Sequence, residues 1–446
     1  MLAGLFFVQG DIPAAAFAFG TGPEVSIFGH PMSSMSMTYI GAVKNIAFTP
    51  VAALFGVTIE SVRYFTIALS AATMLATYIF ARRLFRDAAA AVAVALLAFD
   101  PSFVFYSRVD FGPVVVMLLL KTLAAWQLLR WYETGRHSSL AIGAFLLGLG
   151  LYDKANFAWV IAAFVVAAAI LGGRRLRARL TRRAVLVAAV AFLVGCLPLL
   201  IYNAGSGFGT LAGYDALSER AGSFPFQVAH RVAVLGDLLD GSAVSEVLEL
   251  PFPHRFLVLP LIFGIAAGVI ALPAVRRRLD ARALRAGSFI VVSLAVTLLL
   301  AAATSVGFKG HHVLTTYPLP HLALALVIVQ MARVVARHVR DGRRVAVFAS
   351  TAGVLAVIPV ALSALTTTGM LDALQESGGR AEWSDRIVLL DEYLTREHEG
   401  PAGHDDRLGH RQQSARSLGR ADGAHGGLVR LRGGCNHGST GLHVRS

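Results

Sequence analysis

The sequence predicts an all-α protein, a polytopic transmembrane bundle of about ten to eleven helices with interfacial helices in the first outer loop. Three observations predict it. Apolar residues make up 56% of the 446 and charged residues only 15%, a balance outside the range of soluble domains. Apolar runs repeatedly reach the roughly 17 to 25 residues that a helix needs to cross a bilayer. The net charge of +13 falls in short clusters between those runs and is not interleaved with aromatics on one face. It therefore marks membrane topology and argues against a nucleic-acid partner.

Residues 1–59 are expected to hold the remnant of a first helix and then the outer loop. "MLAGLFFVQ" is too short to cross a core of about 30 Å and lacks the basic start of a signal peptide. The first helix is therefore expected to be missing or reduced to its last turns. Residues 28–57, "FGHPMSSMSMTYIGAVKNIAFTPVAALFGV", are interrupted by Pro31, Lys44 and Pro50. They are expected to lie as interfacial helices on the outer surface, with Tyr39 and Lys44 near the headgroups.

Core transmembrane helices occupy 60–203, with spans at 60–82, 87–106, 111–131, 138–152, 155–172 and 183–203. An outer loop at 204–255 follows, and 256–365 holds the C-terminal spans at 256–274, 287–305, 317–336 and 344–365. Residues 366–400 begin an outer soluble region. From 401 to 446 the composition turns to Arg, His, Gly and Ser, as out-of-frame reading of GC-rich DNA yields. A shifted frame is expected there in preference to a disordered basic tail. The two cysteines, Cys196 in an apolar run and Cys435 in the tail, give no disulfide framework.

Arginine assigns the sides. Alternate connections carry Arg82, Arg83 and Arg86, then Arg130 and Arg136, then the cluster from Arg174 to Arg183, then Arg276 to Arg285, then Arg333 to Arg344. These loops are expected to be cytoplasmic. The opposite, outer side holds the turns near Asp110, Asp153 and 306–316, and charges near membrane depth are functional candidates.

In "YSRVDFGPVV", residues 106–115, Asp110 precedes Gly112 and Pro113, which suit a helix start. It is either an N-terminal helix cap paired with Arg108 or a site residue, and local sequence leaves both open. "GLGLYDKANFAWV", residues 148–160, carries Asp153 and Lys154 and reads as a polar hairpin tip or a substrate contact. "VGFKGHHVLTTYPLP", residues 306–320, adds Lys309, His311, His312 and Tyr317. Adjacent histidines point to different faces and no third ligand has suitable spacing, so no metal site is predicted. Lys, His and Tyr all donate, which suits a phosphate. There is no nucleotide-binding loop or catalytic triad signature.

The order of these features resembles the GT-C superfamily of integral-membrane glycosyltransferases, particularly the lipid A aminoarabinose transferase and protein O-mannosyltransferase branch. The resemblance covers residues 10 to 175, through "LFG", "SVRYFTIALSAATMLATYIFARRLF", the outer Asp110 and "GLGLYDKANF". The rest is similar by helix pattern and the "HH...YP" turn. It implies Asp11 in the first outer loop and Asp110 in the second as catalytic carboxylates, with Asp11 the general base. Asp110 would orient the acceptor or the base, or share a divalent cation with Asp11; no cofactor is assigned. Ile12 stands where relatives carry a Glu. Lys154 matches a lysine of the relatives, whereas Asp153 departs from their pattern. Lys44 lies close to another such lysine but lacks the double proline that follows it.

The resemblance implies a polyprenyl-phosphate sugar donor and a lipid, glycan or protein acceptor hydroxyl, among membrane lipids. Transfer would invert the anomeric centre on the outer, periplasmic face of a bacterial inner or plasma membrane. Lys44, Lys154, Lys309, His311, His312 and Tyr317 are the expected donor-phosphate partners. Three other readings remain: a secondary transporter, which should show internal repeats, a lipid flippase, and an inactive fragment or membrane scaffold.

Overall fold

The computed structural model describes residues 21–27, 30–108, 112–216, 222–250, 258–273, 277, 281–304 and 310–379. Asp11, Asp110, Lys309 and the tail 401–446 lie outside them. The chain is an integral-membrane helical protein. Six of its described helices are long and apolar enough to cross a bilayer, or eight if each of two bent pairs is one span.

The helices follow the apolar runs. In chain order they are α1 (Val43–Phe55), α2 (Ile59–Phe85), α3 (Asp87–Ala98), α4 (Pro101–Arg108), α5 (Val114–Thr134), α6 (His137–Asp153), α7 (Ala158–Leu171), α8 (Gly173–Arg179) and α9 (Arg182–Gly205). Then come α10 (Gly209–Ala216), α11 (Phe224–Leu239), α12 (Ser242–Val247), α13 (Val258–Ala271), α14 (Ala281–Ala303), α15 (Gly310–Val313), α16 (Leu319–Arg337) and α17 (Arg344–Ser377). Thr58 starts α2 with a reciprocal capping box to Ser61. Thr181 starts α9 by accepting from the Ala184 N–H at 3.1 Å.

Three features depart from the sequence expectation. The run 87–106 is not one straight helix, because α3 and α4 meet at a bend of 64° around Asp100 and Pro101; proline cannot continue the ladder of the preceding helix. Residues 28–57 are not wholly helical. Strands β1 (Thr21–Ile27), β2 (His30–Met37) and β3 (Ile40–Gly41) form an antiparallel sheet in the order β1-β2-β3, and only α1 is helical. The reason is tertiary: the Ser34 and Thr38 carbonyls accept from Tyr152 and Thr210, which holds this stretch extended. Residues 366–377 continue α17, and 204–255 contains α10, α11 and α12.

Lipid-facing surface is explicit in α9, where Leu186, Val190, Leu193, Leu197 and Ile201 recur at helical spacing and are all exposed. Its opposite face packs on α6 through glycine. A Cβ on Gly148 would sit 2.1 Å from the Phe192 carbonyl oxygen, and one on Gly195 would sit 2.3 Å from that of Phe145. The two backbones thus touch through small residues on both sides, as packing in lipid favours.

The basic end of the bundle is held by charged contacts. Arg83 Nε meets Glu133 at 2.5 Å, joining α2 to α5, and Arg175 donates to the Glu133 carbonyl at 2.7 Å. Arg282 Nε donates to the Leu84 carbonyl at 3.1 Å. Four of the arginine-bearing connections therefore meet at one end.

Candidate functional site

At the opposite end the sheet lies across the ends of α6 and α9. The Tyr152 hydroxyl donates to the Ser34 carbonyl at 2.5 Å and accepts from the Ala42 N–H at 3.3 Å. Thr210 Oγ1 donates to the Thr38 carbonyl at 2.8 Å, and Asn203 Nδ2 donates to that Thr210 oxygen at 2.9 Å. Gly41 is required for this contact, because a Cβ there would lie 2.2 Å from the Tyr152 carbonyl oxygen.

That docking brings charged residues from distant parts of the chain together. Ile40 forms a β-bridge with Lys154, and the Ala155 N–H donates to the Tyr39 carbonyl at 3.0 Å. Lys44, on the first turn of α1, reaches over so that Nζ donates to the Gly112 carbonyl at 2.7 Å. Gly112 follows Asp110 by two residues and has φ of +57°, a left-handed conformation that favours glycine.

Asp153 interacts with both lysines and is fully buried, with neither carboxylate oxygen hydrogen-bonded; burial pushes its carboxyl well above the usual carboxylate range, against the pull of the Lys44 and Lys154 charges. Lys154 is 3% exposed. Loss of water lowers the Lys154 ammonium to about 8, the charge of Asp153 acting in the opposite direction. Lys44 is likewise brought down to about 8 by desolvation of its ammonium, opposed by Asp153, although part of the residue stays accessible. Lys44, Asp153 and Lys154 thus form a buried cluster of charged groups where the sheet meets the end of α6.

The remaining expected residues divide. His311 and His312 are partly buried, and their rings lie 4.0 Å apart, tilted by 39°; the expectation that they face apart is corrected, because the short α15 turn lets the rings pack. Tyr317 is corrected more strongly. It is fully buried, and its hydroxyl donates to Asp100 Oδ2 at 3.0 Å, which leaves it no role on a donor phosphate. Arg108 ends α4 and is exposed, while its expected partner Asp110 lies outside the described residues. Among the described residues no three His, Cys, Asp or Glu side chains gather as a metal site would require.

Sequence reading missed a second polar cluster inside the bundle. Asp100 is 1% exposed; Oδ1 accepts from the Phe103 N–H at 2.8 Å, and Oδ2 faces His321 Nε2 at 3.1 Å as well as Tyr317. Lys121 is 3% exposed and donates to the carbonyls of Thr315 and Tyr317. The available signal was the Asp100-Pro101 pair within an apolar run, a carboxylate at membrane depth beside a helix breaker.

Fold and site together define an integral-membrane helical protein with a buried lysine–aspartate cluster at the end opposite its arginine-rich loops. Residues 46–202, roughly a third of the chain, match the family described as dolichyl-phosphate-mannose-protein mannosyltransferase. This match agrees with the GT-C resemblance over residues 46–175. The crystal structure of ArnT from Cupriavidus metallidurans bound to undecaprenyl phosphate is similar at a TM-score of 0.48 and 16% identity, over 80% of this chain and 69% of that one. A likeness at that level carries no inference about site residues. No curated protein matches the chain.

Proposed function

We propose that the chain is a membrane glycosyltransferase that moves a sugar from a polyprenyl-phosphate donor to an acceptor hydroxyl on the outer, periplasmic face of a bacterial inner or plasma membrane. The observation that supports it best is that Lys44 holds the Gly112 carbonyl while Lys44 and Lys154 both interact with Asp153, with Lys154 and Gly112 inside the family-matching stretch. The phosphate of the donor would sit on the two ammonium groups, with Lys309, His311 and His312 contributing from the 306–316 turn.

The chemistry balances without an external energy source, because the donor is already activated. The acceptor oxygen attacks the anomeric carbon, the bond from that carbon to the phosphate oxygen breaks, and the polyprenyl monophosphate leaves with the electron pair. Asp11 takes the acceptor proton as general base, and Asp110 orients the acceptor or the base. Attack from the face opposite the leaving group inverts the anomeric centre. Charge grows on the leaving phosphate, where fixed ammonium groups in a water-poor pocket act most strongly. The acceptor is a lipid, glycan or protein hydroxyl.

The test is transfer from a radiolabelled polyprenyl-phosphate sugar in membranes that hold the full chain. Asp11→Asn and Asp110→Asn are each expected to lower kcat by about 10² or more, the scale of a lost proton-transfer or orienting group. Wild-type rates in both variants would remove the catalytic assignment.

A further inference from the structure

We propose that the segment Thr315–His321 is a buried clamp that holds both helices flanking the Asp110 turn, and that Asp100, Lys121, Tyr317 and His321 are positioning residues for the carboxylate it carries. The catalytic part of this proposal rests on the reading of Asp110 given above. The clamp itself rests on the packing.

The turn is entered by α4 and left by α5. At the start of α4, Asp100 spends one carboxylate oxygen on the Phe103 N–H of that helix and the other on the Tyr317 hydroxyl and His321 Nε2. Two turns into α5, Lys121 ties that helix to the carbonyls of Thr315 and Tyr317. Both flanking helices are thus fastened, by opposite charges, to one stretch some 200 residues away in sequence. The stretch is itself rigid, since Thr315 and Thr316 donate to the carbonyls of His312 and Val313 at 2.9 and 2.8 Å. The Tyr317 and His321 rings pack edge to face, 4.8 Å apart, and His321 also meets Phe263 at 5.2 Å.

The bend gives the clamp its purpose. An unbroken helix over 87–108 would carry the turn on one continuous span, whereas the break leaves α4 a short lever of eight residues. Its aim depends on what secures its base. Ser102 adds a tie from Oγ to the Leu238 carbonyl at 2.6 Å, and Thr367 Oγ1 donates to the Phe99 carbonyl at 3.1 Å. A carboxylate and an ammonium buried in apolar surroundings are costly unless satisfied. Here each is satisfied by the same segment, a cost that a hydrophobic pair would have avoided if bundle stability were the only requirement.

The experiment uses the full chain in nanodiscs with Asp100→Asn, Lys121→Met, the double variant, and the milder Tyr317→Phe. Hydrogen exchange is read at the amides of Ser107, Arg108 and Gly112, with α9 as internal reference. Transfer kinetics are read beside it. Each single variant is expected to speed exchange at those amides at least tenfold while leaving α9 unchanged, and to lower kcat at least tenfold with donor KM within twofold. The double variant is expected to be no worse than the more damaging single one, because both act through one segment. Wild-type exchange at Ser107, Arg108 and Gly112 in folded Asp100→Asn and Tyr317→Phe overturns the clamp. So does a raised donor KM with unchanged kcat, or full additivity in the double variant. Faster exchange in a chain whose wild type shows no transfer supports the clamp and sinks the proposed activity instead.

Discussion

Lys44 and Lys154 share one electrostatic environment, and its sign gives a pH dependence. Both hold their protons only up to about 8 in the folded chain, against an ordinary 10.5. A phosphate is bound by the ammonium form, so donor KM is expected to rise as pH is raised through about 8. The unliganded fold responds in the opposite sense. Between about 8 and 10.5 the unfolded chain binds more protons than the folded one, so stability without ligand rises with pH across that window. Asp153 supports the charge of both lysines. Asp153→Asn is therefore expected to move the KM transition to lower pH, and an unshifted profile in this variant would contradict its place between them. Asp153 itself was legible in the sequence only as a charge at a hairpin tip. Its burial between two lysines depends on the sheet closing over it, which no local pattern shows.

At the scale of elements, α6 and α9 depend on glycine at their crossing. Gly148→Leu would drive a side chain into the Phe192 carbonyl and is expected to destabilise by about 1–3 kcal/mol, read as a lower thermal midpoint in detergent. Gly353 has no neighbour within 4 Å of an added Cβ, so the same change there is expected to be nearly silent. An equal loss at both positions would show that leucine is simply unwelcome in these helices. Helix positions were legible because length and hydrophobicity suffice to define a span. The break at Asp100 was not, since an apolar run of the right length hides a two-part helix unless the Asp-Pro pair is given weight. The sheet at 21–41 was missed for a related reason. Pro31, Lys44 and Pro50 rule out a comfortable span, but the choice between an interfacial helix and a strand is made by docking onto Tyr152 and Thr210. Tyr317 shows the same limit: its residue type suits a phosphate, but its burial against Asp100 is a tertiary fact.

For the whole molecule, arginine-rich connections meet at one end and the Lys44–Asp153–Lys154 cluster lies at the other. The proposed outer placement of the cluster predicts that Ser206→Cys is labelled by a membrane-impermeant maleimide in intact cells. Ala178→Cys, in the arginine-rich α8, is expected to react only after permeabilisation; the reverse pattern would place the cluster in the cytoplasm. The arginine-rich end was legible because basic clusters recur in alternate connections, whereas the joining of the 315–321 segment to α4 and α5 was not, because side chains far apart in sequence make it. The central claim is tested most directly by incubating the purified full chain in liposomes with a doubly labelled polyprenyl-phosphate sugar and no nucleotide. The account predicts that sugar label moves to an acceptor while polyprenyl monophosphate appears in equal amount, and that Lys154→Met slows both together. Donor recovered intact after crossing the bilayer, with no monophosphate released, would contradict it and identify a transporter or flippase.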